Sequence, residues 1–156
     1  MRVGTAVALA LVTAALAGGI PALPAAKERH PLPTYVCRQT SGAITVDGVP
    51  NEPAWKEAEV FTDFRLNDGL RKPTDRTEFR ALWDGTYLHL SFVCSDPELV
   101  ATMTKRDSPL YAEDCVECFL STGGDIRRYF EFELSPKNVQ MDASVFPTRG
   151  RREKIV

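Results

Sequence analysis

Between Ser108 and Pro136 the chain alternates side chains with a period of two, and this alternation limits what it can fold into more than any other feature. Val116, Cys118 and Leu120 fall on one side of a first strand, with Cys115, Glu117 and Phe119 on the other. In a second strand Phe130, Phe132 and Leu134 share a side, opposed by Tyr129, Glu131, Glu133 and Ser135. Successive side chains point to opposite faces of a strand, so the pair predicts a hairpin with one apolar face and one face of carboxylates and aromatics. The apolar face is expected to pack inward. The acid-bearing face is expected to lie outward and is where a ligand is sought.

The same period recurs upstream. Thr77 to Trp83 sets Phe79, Ala81 and Trp83 on one face, Asp84-Gly85 is a two-residue hairpin signal, and Tyr87 to Cys94 returns. In the return Leu88, Leu90, Phe92 and Cys94 point one way, and Tyr87, His89, Ser91 and Val93 the other. Further strands are predicted at Tyr35 to Arg38, at Ala43 to Val46 before the Asp47-Gly48 turn, at Phe61 to Leu66 on an edge, and at Val139 to Val145. Asn51 to Ala58 reads as one or two helical turns, with Pro53 at the first helical position, where its missing N–H costs nothing. Trp55 and Ala58 face together there and are expected in the core. Short strands with turns at regular intervals and no long amphipathic helix give an all-β fold, an antiparallel β-sandwich.

A length of 156 residues suits one domain. The formal net charge of −2 gives no argument for nucleic acid, and Arg149, Arg151, Arg152 and Lys154 read as a solvated tail. Residues 1–26 read as a signal peptide and lead-in: Arg2, the apolar run Ala6 to Ala17, and small residues at Ala15 and Ala17 where a signal peptidase cuts. That run is shorter than the ~20 residues a membrane span needs, so no membrane insertion is expected after signal removal. The domain is expected over 27–156, in a secreted or periplasmic protein.

Export places Cys37, Cys94, Cys115 and Cys118 in an oxidising compartment, where four cysteines allow three pairings. Cys115 and Cys118 have the spacing of a redox or zinc motif, but on a strand they point to opposite faces. With His30 and His89 the only histidines, a Cys/His zinc site gains little support. Cys94 and Cys118 read as small core hydrophobes or as one disulfide.

Several blocks, in order, resemble carbohydrate-binding module family 9 and its secreted relatives. Ile44-Thr-Val-Asp-Gly48 with Glu52-Pro-Ala-Trp55 is similar to the family's opening, and Thr77 to Asp84 with Tyr87-Leu-His-Leu90 to its central hairpin. Lys105-Arg-Asp107, Glu113 to Leu120 and Tyr129 to Pro136 complete the likeness. The resemblance implies a jelly-roll sandwich that binds sugar in a cleft on one sheet, often with structural calcium. It places Tyr111 where the first of two sugar-sandwiching tryptophans would lie and Glu117 on a sugar-contacting glutamate, while Glu133 and Ser135 stand in place of Arg and Asn. The second tryptophan and the last strands would lie beyond Val156.

Sugars offer apolar faces to aromatic rings and hydroxyls to carboxylates. The candidate carbohydrate-binding residues are therefore Tyr111, Glu117, Tyr129, Glu131, Glu133 and His89, in a non-catalytic module. Asp96, Asp107, Asp114 and Asp125, in or beside connections, are the calcium candidates, since hard cations take loop oxygens. Two other readings stand beside this one. A structural or interaction domain of the envelope needs no sugar. A glycoside hydrolase would use Glu131 and Glu133, an i, i+2 pair about 7 Å apart at Cα, within reach of the carboxyl separations such enzymes use.

Overall fold

The structure, a computed structural model, describes residues 32–148 and 151–155, with Thr148 and 151–155 described by their backbone. The expected signal peptide, the N-terminal part of the lead-in and Arg149 lie outside the described residues. The described chain is all-β, with two sheets that are mostly antiparallel, consistent with the expected β-sandwich. It divides between Ser95 and Asp96 into two compact units, each holding one sheet.

The first unit is built on β1 (Arg38–Gln39), β2 (Thr77–Trp83) and β3 (Leu88–Cys94), in the order β1-β2-β3. The β2–β3 hairpin forms as the alternation predicts, with Phe79 opposite Phe92 and Ala81 opposite Leu90. Its turn lies one residue later than the Asp84-Gly85 signal suggests. Asp84 pairs with Tyr87 through N–H to O at 3.0 Å, and its carboxylate accepts from the N–H groups of Thr86 and Tyr87, so Gly85 and Thr86 form the loop.

Both faces of β2 are covered within this unit. Leu82 is fully buried against Trp55, Ala54 and Ala58, with Ile44 packed alongside. Leu82 lies on the face opposite Phe79, Ala81 and Trp83, so the expected core face holds only part of the core. Trp55 arrives on the predicted helical turn, a 3-10 turn over Pro53–Glu57 with proline in its first turn. On the other face Tyr35 sets its ring edge-on to Phe79 at 5.2 Å, donates its hydroxyl to Glu59 O at 2.7 Å and accepts from Ala81 N at 2.8 Å.

Three expected strands are replaced by other bonding. Tyr35 to Arg38 gives only a two-residue strand further on, parallel to β2, because Tyr35 serves as a packing peg. Ala43 to Val46 pairs with no strand; Thr45 N donates to Glu52 Oε1 and Ile44 joins the Trp55 cluster. From Phe61 to Leu66 only Phe61 bridges to Phe79, while Asp63 clasps Arg65 and Leu66 closes a local turn with Gly69 and Arg71. Side-chain bonds from Asp and Glu compete successfully with ladder bonds in such short segments.

The second unit carries β4 (Val116–Leu120), β5 (Tyr129–Leu134), β6 (Gln140–Thr148) and β7 (Arg151–Ile155), an antiparallel meander in sequence order. The hairpin of β4 and β5 has the predicted register: Val116 faces Leu134, Cys118 faces Phe132 and Leu120 faces Phe130. A three-residue loop joins β5 to β6, closed by Ser135 N to Val139 O at 3.0 Å with Asn138 at φ 58°. This is the turn in which Pro136 presets the first bend and Asn tolerates the left-handed position. The basic residues Arg151, Arg152 and Lys154, expected in a solvated tail, instead lie on β7, paired to β6. A charge run said nothing there about ladder bonds, which any backbone can make.

The core of this unit is Leu110, Met141 and Ala143, with Met103, Cys115 and Val139 against it. Leu110 is supplied by a short 3-10 turn, Leu110–Ala112. Leu82→Ala in the first unit should cost about 3 kcal/mol, the usual range for a fully buried leucine that leaves a cavity. Urea unfolding followed by circular dichroism checks this, and a loss below about 1 kcal/mol would mean that the Trp55 cluster collapses to fill the space.

Candidate functional site

The face that carries Cys115, Glu117, Phe119, Tyr129, Glu131 and Glu133 runs across β4, β5 and β6 of the second unit. Alternation makes these residues neighbours: Glu117 is directly opposite Glu133, and Phe119 opposite Glu131. On β6 the partners on the same face are Met141 beside Glu133, Ala143 beside Glu131 and Val145 beside Tyr129.

This face is not uniformly outward, as the sequence pattern suggests. Glu133 is 2% exposed, Glu131 8%, and Ser135 is buried too. The apolar face of β5 is the more open one, with Phe130, Phe132 and Leu134 exposed. The reason lies on the neighbouring strand. Met141, Ala143 and Val145 are all buried on the carboxylate face, and Leu110 packs with Met141 and Ala143. The burial of Glu131 and Glu133 thus follows the apolar residues beside them, which the pattern of β5 alone does not contain.

Exposure rises towards β4, the sheet edge. Glu117 and Phe119 are exposed, and Phe119 meets Tyr129 edge-on at 5.6 Å. Tyr111, on the 3-10 turn, is 64% exposed, and its backbone N–H donates to Glu133 Oε2 at 3.0 Å. A carboxylate accepting a backbone N–H makes a charge-assisted hydrogen bond, stronger than a neutral one. Glu133 therefore fixes the turn that carries Tyr111. The turn is also held from upstream: Glu113 accepts from Thr102 and Met103, which holds its carboxyl below the usual range, chiefly through the Thr102 hydroxyl. Asp114 exchanges backbone and side-chain bonds with Val100.

Tyr111, Glu117, Tyr129, Glu131 and Glu133 thus share one region of the second unit, with Tyr111 at its margin. His89 does not join them within that unit. It lies on β3 of the first unit, where its Nε2 is 2.8 Å from Asp84 Oδ2. Its side chain is only 11% exposed, so it serves the hairpin turn rather than an open surface. Phe119 lies on the same face, beside Glu117, where the alternation places it, although the sequence reading did not choose it as a candidate. Its aromatic character beside Glu117 was the available signal.

The calcium candidates do not gather. Asp96 caps Glu98 N, Asp107 lies beside Arg106, Asp114 takes Val100 N, and Asp125 is bound by Arg127, which lowers its carboxyl pKa. None belongs to a group of three or more potential ligands among the described residues, so these four carboxylates do not fit a shared calcium site. The grouping that does occur is Cys115, Glu117 and Glu133, whose donor atoms all lie within 4.8 Å of one another.

All four cysteines are free thiols. Cys115 and Cys118 do point to opposite faces, one packed on the Leu110 core and the other opposite Phe132. Cys94 is exposed, so it is not the core hydrophobe expected of it. Burial first, then the neighbouring Glu117 and Glu133 charges, push the Cys115 thiol up to about 12.

The family model for the carbohydrate family 9 binding domain-like proteins matches residues 46–152, across both units, and the chain belongs to that family. A curated relative, an extracellular protein of Arthroderma benhamiae (strain ATCC MYA-4681 / CBS 112371), is 31% identical over 87 residues, 53% of this chain. The match covers 39% of that relative's length. No solved structure matches the chain at a significant level. No helix among the described residues is long and apolar enough to cross a membrane.

The Asp84–His89 contact predicts a pH dependence. The His89 bond first, then the Tyr87 and Thr86 N–H groups, hold the Asp84 carboxyl at about 2, below its ordinary 3.8. A depressed folded-state pKa contributes stability that is present above the unfolded value and lost as pH falls from about 4 through about 2. Asp84→Asn should flatten the stability-versus-pH curve in that window. Equal slopes for the two proteins in acid titrations of urea unfolding would count against the hairpin role.

Proposed function

We propose that this is a secreted, non-catalytic carbohydrate-binding module that holds an oligo- or polysaccharide against the exposed margin of the β4–β5 face. The observation that carries the reading is the placement of Tyr111, Glu117, Phe119 and Tyr129 along that margin, on the sheet of a family 9 binding-like domain. Aromatic rings there offer flat apolar surface to a pyranose, and Glu117 offers an acceptor to its hydroxyls. Glu133 acts from beneath as a positioning residue, through the Tyr111 N–H. Secretion is supported by the extracellular name of the relative and by the leader-like first residues.

Retention on a glycan panel by affinity electrophoresis tests the reading. Tyr111→Ala and Glu117→Ala should abolish retention while changing stability by less than about 0.5 kcal/mol, since both side chains are exposed. Glu133→Ala should instead lose about 2 kcal/mol, the scale of leaving the Tyr111 N–H without its buried acceptor. Retention unchanged in both exposed variants would remove the site from this face. Release of reducing ends that is lost in Glu131→Gln would replace the non-catalytic reading with hydrolysis.

A further inference from the structure

We propose that Cys115, Glu117 and Glu133 form a binding site for a zinc-class divalent metal, made of one thiolate and two carboxylates. The inference goes beyond sugar binding and does not depend on it.

The topology alone brings the donors together. Cys115, the residue before β4, is two positions from Glu117, which brings its thiol to the Glu117 side, and Glu133 is the direct cross-strand partner of Glu117 on β5. The donor atoms of Cys115, Glu117 and Glu133 then all lie within 4.8 Å of one another. Cys115 Sγ is 3.6 Å from Glu117 Oε1. A tetrahedral zinc with Zn–S of about 2.3 Å and Zn–O of about 2.1 Å spaces sulfur and oxygen by about 3.6 Å, so this edge of the site already has the required length. Rotation of the exposed Glu117 side chain closes the rest.

Two features set this grouping apart from acidic clusters that hold nothing. The first is the thiol, a soft donor that calcium does not use and that zinc-class ions prefer. The second is the register. Glu117 and Glu133 stand directly opposite one another across the β4–β5 ladder, so their side chains share one face, and Glu133 is buried while Glu117 opens to solvent. A divalent cation placed there takes one carboxylate donor from each of the two strands. On binding, the Cys115 thiol proton passes to solvent and the thiolate coordinates. Glu117, being exposed, leaves an entry path and room for water in the fourth position.

Titration of the purified chain with cobalt(II), used as an optical stand-in for zinc, tests the site. The expected result is a thiolate-to-cobalt charge-transfer band that saturates at one ion per chain, is displaced by zinc and persists with excess calcium. Cys115→Ser should abolish the band, Glu117→Gln should weaken binding roughly tenfold or more, and Cys94→Ser and Cys118→Ser should leave it intact. Glu117 is exposed, so its variant reports on the site without endangering the fold, which far-ultraviolet circular dichroism confirms. Absence of the band in the unaltered chain, or its survival in Cys115→Ser, overturns the proposal, as does unchanged affinity in Glu117→Gln. Glycan retention measured in chelator separates the two proposals: retention without metal binding sinks this one alone, and metal binding without retention sinks only the sugar site.

Discussion

The register between β4, β5 and β6 is the constraint on which the second unit depends. Placing Glu133 opposite both Glu117 and Met141 puts one carboxylate between a solvent-facing acid and a buried thioether. A slip of one residue would turn Phe132 and Leu134 onto that face and move Glu133 away from Tyr111. The closed loop Pro136 to Asn138 and the Asn138 left-handed backbone hold the β5–β6 register, because only a loop of that length and shape closes Ser135 onto Val139.

Burying a carboxylate is costly unless hydrogen bonds replace its hydration. Evolution of an ordinary core would place an aliphatic residue opposite Met141, where Leu110 is already packed. A carboxylate there makes sense as a fixed acceptor. It ties the Leu110–Ala112 turn to the sheet through the Tyr111 N–H, and it sets a fixed acceptor just beneath the exposed edge. Fixed acceptors beneath an open surface are what recognition of hydroxyl groups or cations demands, because little has to reorganise on binding.

Much of this was legible in the residues, and the failures share one cause. Period-two alternation located β2, β3, β4 and β5 and the cross-strand faces of both hairpins, because that period is a property of one strand. It could not rank the faces by burial. Burial of Glu131 and Glu133 depends on Ala143 and Met141 of the next strand, and burial of Leu82 on Trp55 from a distant turn. The same limit explains the absent strands at 43–46 and 61–66, where Glu52 and Asp63 take up the local hydrogen bonding. The contact of His89 with Asp84 was not legible, because Asp84 reads as a plain turn residue while its carboxylate reaches both the turn and the imidazole.

The gradient of exposure across the acid-bearing face brings these threads together. At β6 the face is apolar and closed, at β5 it carries buried carboxylates, and at β4 it opens with Glu117 and Phe119. A ligand at the open edge would touch residues whose orientation is set by ladder bonds on one side and by Glu133 on the other. This sheet builds no wall opposite that edge among the described residues. From Cys115, just ahead of β4, to Phe119, alternate positions place a thiol, a carboxylate and a ring on one line of that open edge.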